Sequence, residues 1–113
     1  MYQDPRGGEP VSEWLQALGK SAGKKAQAKV VRAIDLLKTE GLALAREYLH
    51  KIPGDLWELR ATFQRNPYRV LFYNPSARTL VLLHAFHKKT DAIAKGDLDR
   101  ATSRMQDDRR RRR

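Results

Sequence analysis

The chain has 113 residues and a mass of 13.0 kDa, enough for one domain with one ordinary core. It contains no cysteine, which excludes a disulfide framework, a thiolate zinc site, an iron–sulfur cluster and a cysteine nucleophile. Lys and Arg number 23 against 13 Asp and Glu, a formal charge of +10; the terminal run Arg109 to Arg113 supplies five of those cations, and the remainder still carries 18 against 13, or +5.

A domain this basic is expected to meet something acidic, and nucleic acid or an acidic protein segment fits better than lipid, because no helix pairs a basic face with aromatic anchors. Mean hydropathy is -0.70, and no apolar run approaches the roughly 20 residues that span a bilayer. Met1 to Val11 lack the apolar stretch of a signal peptide. A cytoplasmic protein without a membrane role is expected.

Asp4-Pro5-Arg6-Gly7-Gly8 reads as a turn, with Met1 to Gln3 before it as the stub of a strand. Pro10 suits the first position of a helix, Val11, Trp14, Leu15 and Leu18 follow at helical spacing, and Gly19 is the expected stop. A second helix runs from the cap Ser21 to Glu40: Ala26, Val30, Ala33, Ile34 and Leu37 form its apolar stripe, with the lysines off it and Gly41 beyond. Leu42 to Lys51 is ambiguous between helix and extended chain.

After the turn Pro53-Gly54-Asp55 the period changes to two. Strands are expected over 56–62, 68–73 and 80–87, separated by a break at Asn66-Pro67 and a turn at 74–78. The last is apolar on both faces and so suits a central position; the short loops make the meander antiparallel. Asp97 to Asp108 reads as a polar helix, and the five like-charged arginines after it as a disordered tail. The fold class is therefore α+β: two N-terminal helices packed on one face of a twisted antiparallel sheet, and a short C-terminal helix. One domain is expected over 1–108, followed by the basic tail 109–113. Trp14, Leu15, Val30, Ile34, Leu37, Leu59, Val70, Phe72, Leu82 and Phe86 should be mostly buried.

His84 and His87 are spaced H-x-x-H, but residues three apart on a strand face opposite ways, and no third ligand stands nearby, so no metal site is expected. There is no nucleophile elbow and no phosphate-binding glycine loop, and no cofactor is implied. What stands out is the gathering of Arg60, Arg69, His87, Lys88, Lys89 and Thr90 at neighbouring strand positions. It reads as a solvated basic rim or as a site that cuts RNA through attack of the 2′-hydroxyl on the adjacent phosphate. In that chemistry arginines hold phosphorane charge, and a histidine, or a lysine crowded by other cations, moves protons.

Leu56-Trp57-Glu58-Leu59-Arg60, Tyr68-Arg69-Val70-Leu71-Phe72 and Val81 to Thr90 with its Leu-His-x-Phe-x-Lys-Lys-Thr pattern resemble the HigB-like, often phage-derived, branch of the RelE/ParE toxin superfamily. Pro10-Val11-x-x-Trp14-Leu15 is similar to the first-helix motif of that branch. Relatives carry a longer first strand before the Tyr-x-Asp-x-x-Gly stretch, and the arginine tail departs from their pattern.

The resemblance implies a toxin of a type II toxin–antitoxin pair, with RelE-like helices on a sheet, acting as a ribosome-dependent, metal-independent mRNA endonuclease. Gyrase inhibition, as in ParE relatives, and a non-catalytic basic binding module are the alternatives. The implied partners are the ribosome with its mRNA and a helix-turn-helix antitoxin from the adjacent gene, through which alone the toxin meets operator DNA. Arg60 matches the arginine that contacts the scissile phosphate, Arg69 the Tyr-Arg arginine, and Lys88 and Lys89 the basic pair after the last strand; with His87 they form the expected catalytic set. Thr90, Arg65, Arg109, Arg110 and Arg111 are the expected RNA-binding residues. His84, inside its strand, is read as packing with one ring nitrogen hydrogen-bonded.

Overall fold

In the computed structural model, which describes residues 1–44, 46–87 and 92–112, helix α1 (Pro10–Ser21) opens on a proline whose missing N–H is not needed there. It buries Val11, Leu15 and Leu18. It does not stop at Gly19: a Cβ there would lie 2.9 Å from the side chain of Gln27, so the glycine lets the next helix approach. Gln27 uses that approach to donate from Nε2 to the Leu15 carbonyl at 3.0 Å. Ser21 ends α1 and caps nothing; the N-cap of α2 (Lys24–Glu40) is Gly23, at φ +98, a conformation a side chain would resist. α2 buries the expected stripe of Ala26, Val30, Ala33, Ile34 and Leu37.

The ambiguous segment resolves into a 3₁₀ turn (Gly41–Ala43) and a short strand, β1 (Leu49–Lys51). β2 (Trp57–Phe63), β3 (Asn66–Ser76) and β4 (Thr79–His87) follow, and the four strands form one antiparallel sheet in the order β1-β2-β3-β4. Asn66 and Pro67 do not break the run. Gln64 (φ 48) and Arg65 (φ 69) form a two-residue turn, its left-handed backbone matching the twist of the strands, and Phe63 pairs with Asn66. Thr62 and Pro67 are then a non-hydrogen-bonded pair, so the missing proline N–H costs that ladder nothing.

The two faces of the sheet are covered by different helices. α1 and α2 pack on Leu49, Leu59, Ala61, Val70, Phe72 and Leu82. The other face, with Leu71, Tyr73, Val81 and Leu83, is covered by Ala101 and Met105 of α3 (Lys95–Arg111). α1 and α2 share one face, as expected, and the covering of the second face by α3 is what the sequence reading lacked. It also explains β4, which is apolar on both faces although it is the last strand and not a central one. No strand forms at Met1 to Gln3, but the Tyr2 N–H donates to the Leu82 carbonyl at 3.0 Å, and Tyr2 is buried. Trp14 and Phe86 are half-buried; the other expected core side chains are buried.

α3 is as long as α2, not short, and its last turn contains Arg109, Arg110 and Arg111, where charge repulsion suggested disorder. The repulsion is offset by local acids and rings. Arg109 donates to Asp55 at 2.6 Å and lies over the Tyr73 ring at 5.2 Å. Arg111 pairs with Asp107 and lies over the Tyr2 ring at 5.6 Å, and Arg112 meets Asp108 at 2.6 Å. Cations at a helix C-terminus also face the negative end of its dipole.

Candidate functional site

Antiparallel register sets Arg60 of β2 directly opposite Arg69 of β3. Two like charges across a ladder repel, and Glu58 answers them. Two residues before Arg60, it shares the same sheet face, and its Oε1 accepts from Arg60 Nε at 2.6 Å and lies 3.4 Å from Arg69 Nε. Glu58 is 1% exposed, and a carboxylate so far from water is sustained by such partners. Arg69 also donates from Nη1 to the Tyr68 carbonyl at 3.3 Å. The Arg60 side chain is 34% exposed, and its terminal nitrogens take no acceptor among the described residues. Its inner nitrogen is thus fixed while its outer edge faces the surface.

His50 is the register partner of Glu58 and so lies on the same face. With Lys51, Ile52, Glu58, Arg60 and Leu98 it lines a cavity of about 300 Å³. Leu98 belongs to α3, whose position over the sheet is tied by His84. Asp97 Oδ1 lies 2.7 Å from His84 Nε2, and Arg104 Nη1 lies 3.2 Å from His84 Nδ1 while donating to the Leu83 carbonyl at 2.9 Å. Since Arg104 can only donate, Nδ1 accepts, and Nε2 carries the proton given to Asp97. Burial lowers the His84 pKa below its ordinary value, against the opposing pull of Asp97, and Arg104 and Arg100 push the same way as burial.

At the far end of α3, burial and a hydrogen bond to Asp108 push the Tyr73 hydroxyl up to about 12. Tyr2 is raised by burial and by its bond to Asp107 at 2.8 Å. These contacts anchor the helix and belong to no site.

Arg60 and Arg69, expected together, are together. His87 is not with them: it pairs with Tyr68 in register and faces the α1–α2 side. Arg65 sits in the β2–β3 turn and is exposed. Arg109 and Arg111 are engaged with Asp55 and Asp107, and Arg110 with Asp107 at 3.4 Å, apart from the Arg60–Arg69 pair. Lys88, Lys89 and Thr90 lie outside the described residues. His84 has both ring nitrogens engaged, one more than expected. Among the described residues no group of three or more His, Asp or Glu side chains could hold a metal ion, and no helix is long and apolar enough to cross a membrane.

Sequence reasoning missed Glu58 and His50. Strand alternation carried a signal for Glu58, since it places residues 58 and 60 on one face. For His50 there was none, because its strand was not recognised.

A fixed, outward-facing guanidinium backed by a second one is suited to an anion of phosphate shape. No curated protein matches the sequence. The model of a phage-derived protein family, Gp49-like (DUF891), matches residues 13–106, which include most of α1, all of α2, the whole sheet and most of α3. The chain belongs to the phage-derived Gp49-like (DUF891) family.

Proposed function

We propose that this protein is the toxin of a type II toxin–antitoxin pair and cuts mRNA on the ribosome. The observation that carries the reading is the pair Arg60–Arg69, locked by buried Glu58 beside an open cavity in a Gp49-like fold. The RNA 2′-oxygen attacks phosphorus, the 5′-oxygen leaves, and a 2′,3′-cyclic phosphate and a 5′-hydroxyl result. Arg60 holds the charge that builds on the phosphorane oxygens, and Arg69 keeps Arg60 and Glu58 in register. The step needs a group to take the 2′ proton and one to supply the leaving oxygen. His50 shares this face and lines the cavity, whereas His84, on the same face, has both ring nitrogens engaged by Asp97 and Arg104; Lys88 and Lys89, which follow β4 directly in sequence, are the other carriers. His87 faces away and is not assigned to proton transfer.

The reading includes a cytoplasmic location and two partners, the translating ribosome and a helix-turn-helix antitoxin from the adjacent gene. An acidic or steric cover suits a basic active face. Expression in a growing bacterium, with primer extension on abundant messages, tests it. Codon-phased cuts that vanish with Arg60→Ala support the nuclease. Arrest with DNA damage and intact messages points to gyrase, and absence of arrest to a non-catalytic binding module.

A further inference from the structure

On the opposite face, at the same end of the sheet as Arg60 and Arg69, a pocket of about 320 Å³ is lined by Trp14, Ser21, Asn66, Tyr68 and His87, with Ala17, Leu18 and Ala22. Its walls are aromatic: Tyr68 and His87 lie 5.1 Å apart at 35°, and Trp14 meets Tyr68 edge-on at 6.0 Å. Tyr68 is 4% exposed as a residue, but its hydroxyl is not a buried, unsatisfied group: it takes no hydrogen-bond partner among the described residues and opens on the pocket. His87, Ser21 and Asn66 are exposed at its rim, Ser21 reaching the Leu18 carbonyl at 3.5 Å and Asn66 the Gln64 carbonyl at 3.4 Å. Flat apolar walls thus meet a rim of exposed donors and acceptors. No acid lines the pocket, and the chain neighbours Lys20 and Arg65 are exposed.

We propose that this pocket takes a nucleobase of a single-stranded RNA, stacked against His87 and Trp14 with its edge toward Tyr68 and Asn66. An apolar side chain would leave the polar rim unused, and a bare phosphate would leave the aromatic walls unused; a base uses both. Tyr68 and Arg69 are adjacent on β3, so the pocket and the arginine pair sit back to back across the strand. The inference rests on the RNA reading above for the chain that carries the base, and it gives His87 and Arg65 a role in binding.

The test uses the full chain with Trp57→Phe, which leaves Trp14 as its single tryptophan. The probes are a 2′-O-methyl RNA trinucleotide, which cannot be cleaved, and the same sugar–phosphate backbone without bases. The trinucleotide should quench Trp14, the abasic backbone should bind about tenfold more weakly, the usual scale for lost base stacking on an aromatic, and His87→Ala should reduce the first to the level of the second. The ring-proton resonances of His87 in the unsubstituted chain give the same titration independently of the Trp57 change. Equal binding of both probes, no binding, or indifference to His87→Ala overturns the pocket. Binding that needs Arg60 but not His87 overturns the pocket and leaves the nuclease reading standing. Base-dependent, His87-dependent binding without message cleavage in cells upholds the pocket and removes the nuclease.

Discussion

Arg60 and Arg69 face each other across two strands and share one counter-charge, Glu58, whose Oε1 accepts from Arg60 Nε at 2.6 Å and lies 3.4 Å from Arg69 Nε. The acid cancels the repulsion that would otherwise part them and fixes the inner nitrogen of Arg60, leaving its outer edge for a ligand. Stability and activity at this site therefore weigh differently on each residue.

Arg60→Ala removes a cation whose side chain is already a third exposed. Message cleavage should fall on the order of 10²–10³-fold, as for loss of a transition-state donor. The domain should stay folded but melt at a lower temperature, because buried Glu58 loses its donor at 2.6 Å and keeps the contact with Arg69. Cleavage rate and thermal melting on the same preparation check both halves.

In Glu58→Gln the loss should fall mainly on stability. It leaves two facing guanidiniums without their buried counter-charge, a loss of about 3 kcal/mol. Urea unfolding should show the lower midpoint, and the double variant Glu58→Gln/Arg69→Gln should recover part of it, because the repulsion is gone.

His84 gives a pH dependence. Its folded pKa lies below that of the unfolded chain, so between the two values the unfolded state binds more protons. Its contribution is complete above about pH 6.5 and is lost as pH falls through the folded pKa. Protonation would set a second N–H against Arg104, which now donates to Nδ1, while Asp97 and Arg100 face the same ring. Stability from urea unfolding should drop between pH 7 and pH 5, and His84→Asn should flatten that drop. An equal slope in both proteins would remove His84 as its source.

Tyr73 is buried, and its hydroxyl bonds Asp108. With a pKa of about 12, it should remain a phenol when exposed tyrosines ionise, and its stabilising effect is lost as pH rises above 10 toward that value. Ultraviolet titration should show a late phenolate transition, beside that of the raised Tyr2, that Tyr73→Phe abolishes. The same substitution should lower stability by about 1.5 kcal/mol, the scale of a hydrogen bond to a charged acceptor.

The elements that follow a local rule were legible in the sequence. The stripe of Ala26, Val30, Ala33, Ile34 and Leu37 marked α2, and the alternation around Leu59 marked β2. What was not legible depended on non-local contacts. Gly19 reads as a stop until Gln27 is known to press on it. The arginines of 109–111 read as a self-repelling tail until Asp55, Tyr73 and Tyr2 are brought beneath them. The same holds at the site: alternation puts Arg60 and Glu58 on one face, but only the register of β3 brings in Arg69, and only the parity of β4 turns His87 to the other side.

The end chemistry of a message cut in a purified translation reaction measures the proposed nuclease without the cell. Ribosomes carrying a defined mRNA are incubated with the protein in the presence of EDTA at a level that spares the ribosome, and the fragments are mapped at both ends. The expected products are cuts in the reading frame with a 2′,3′-cyclic phosphate on one fragment and a 5′-hydroxyl on the other, and none with Arg60→Ala. Intact messages, or fragments that appear equally with Arg60→Ala, would contradict the nuclease.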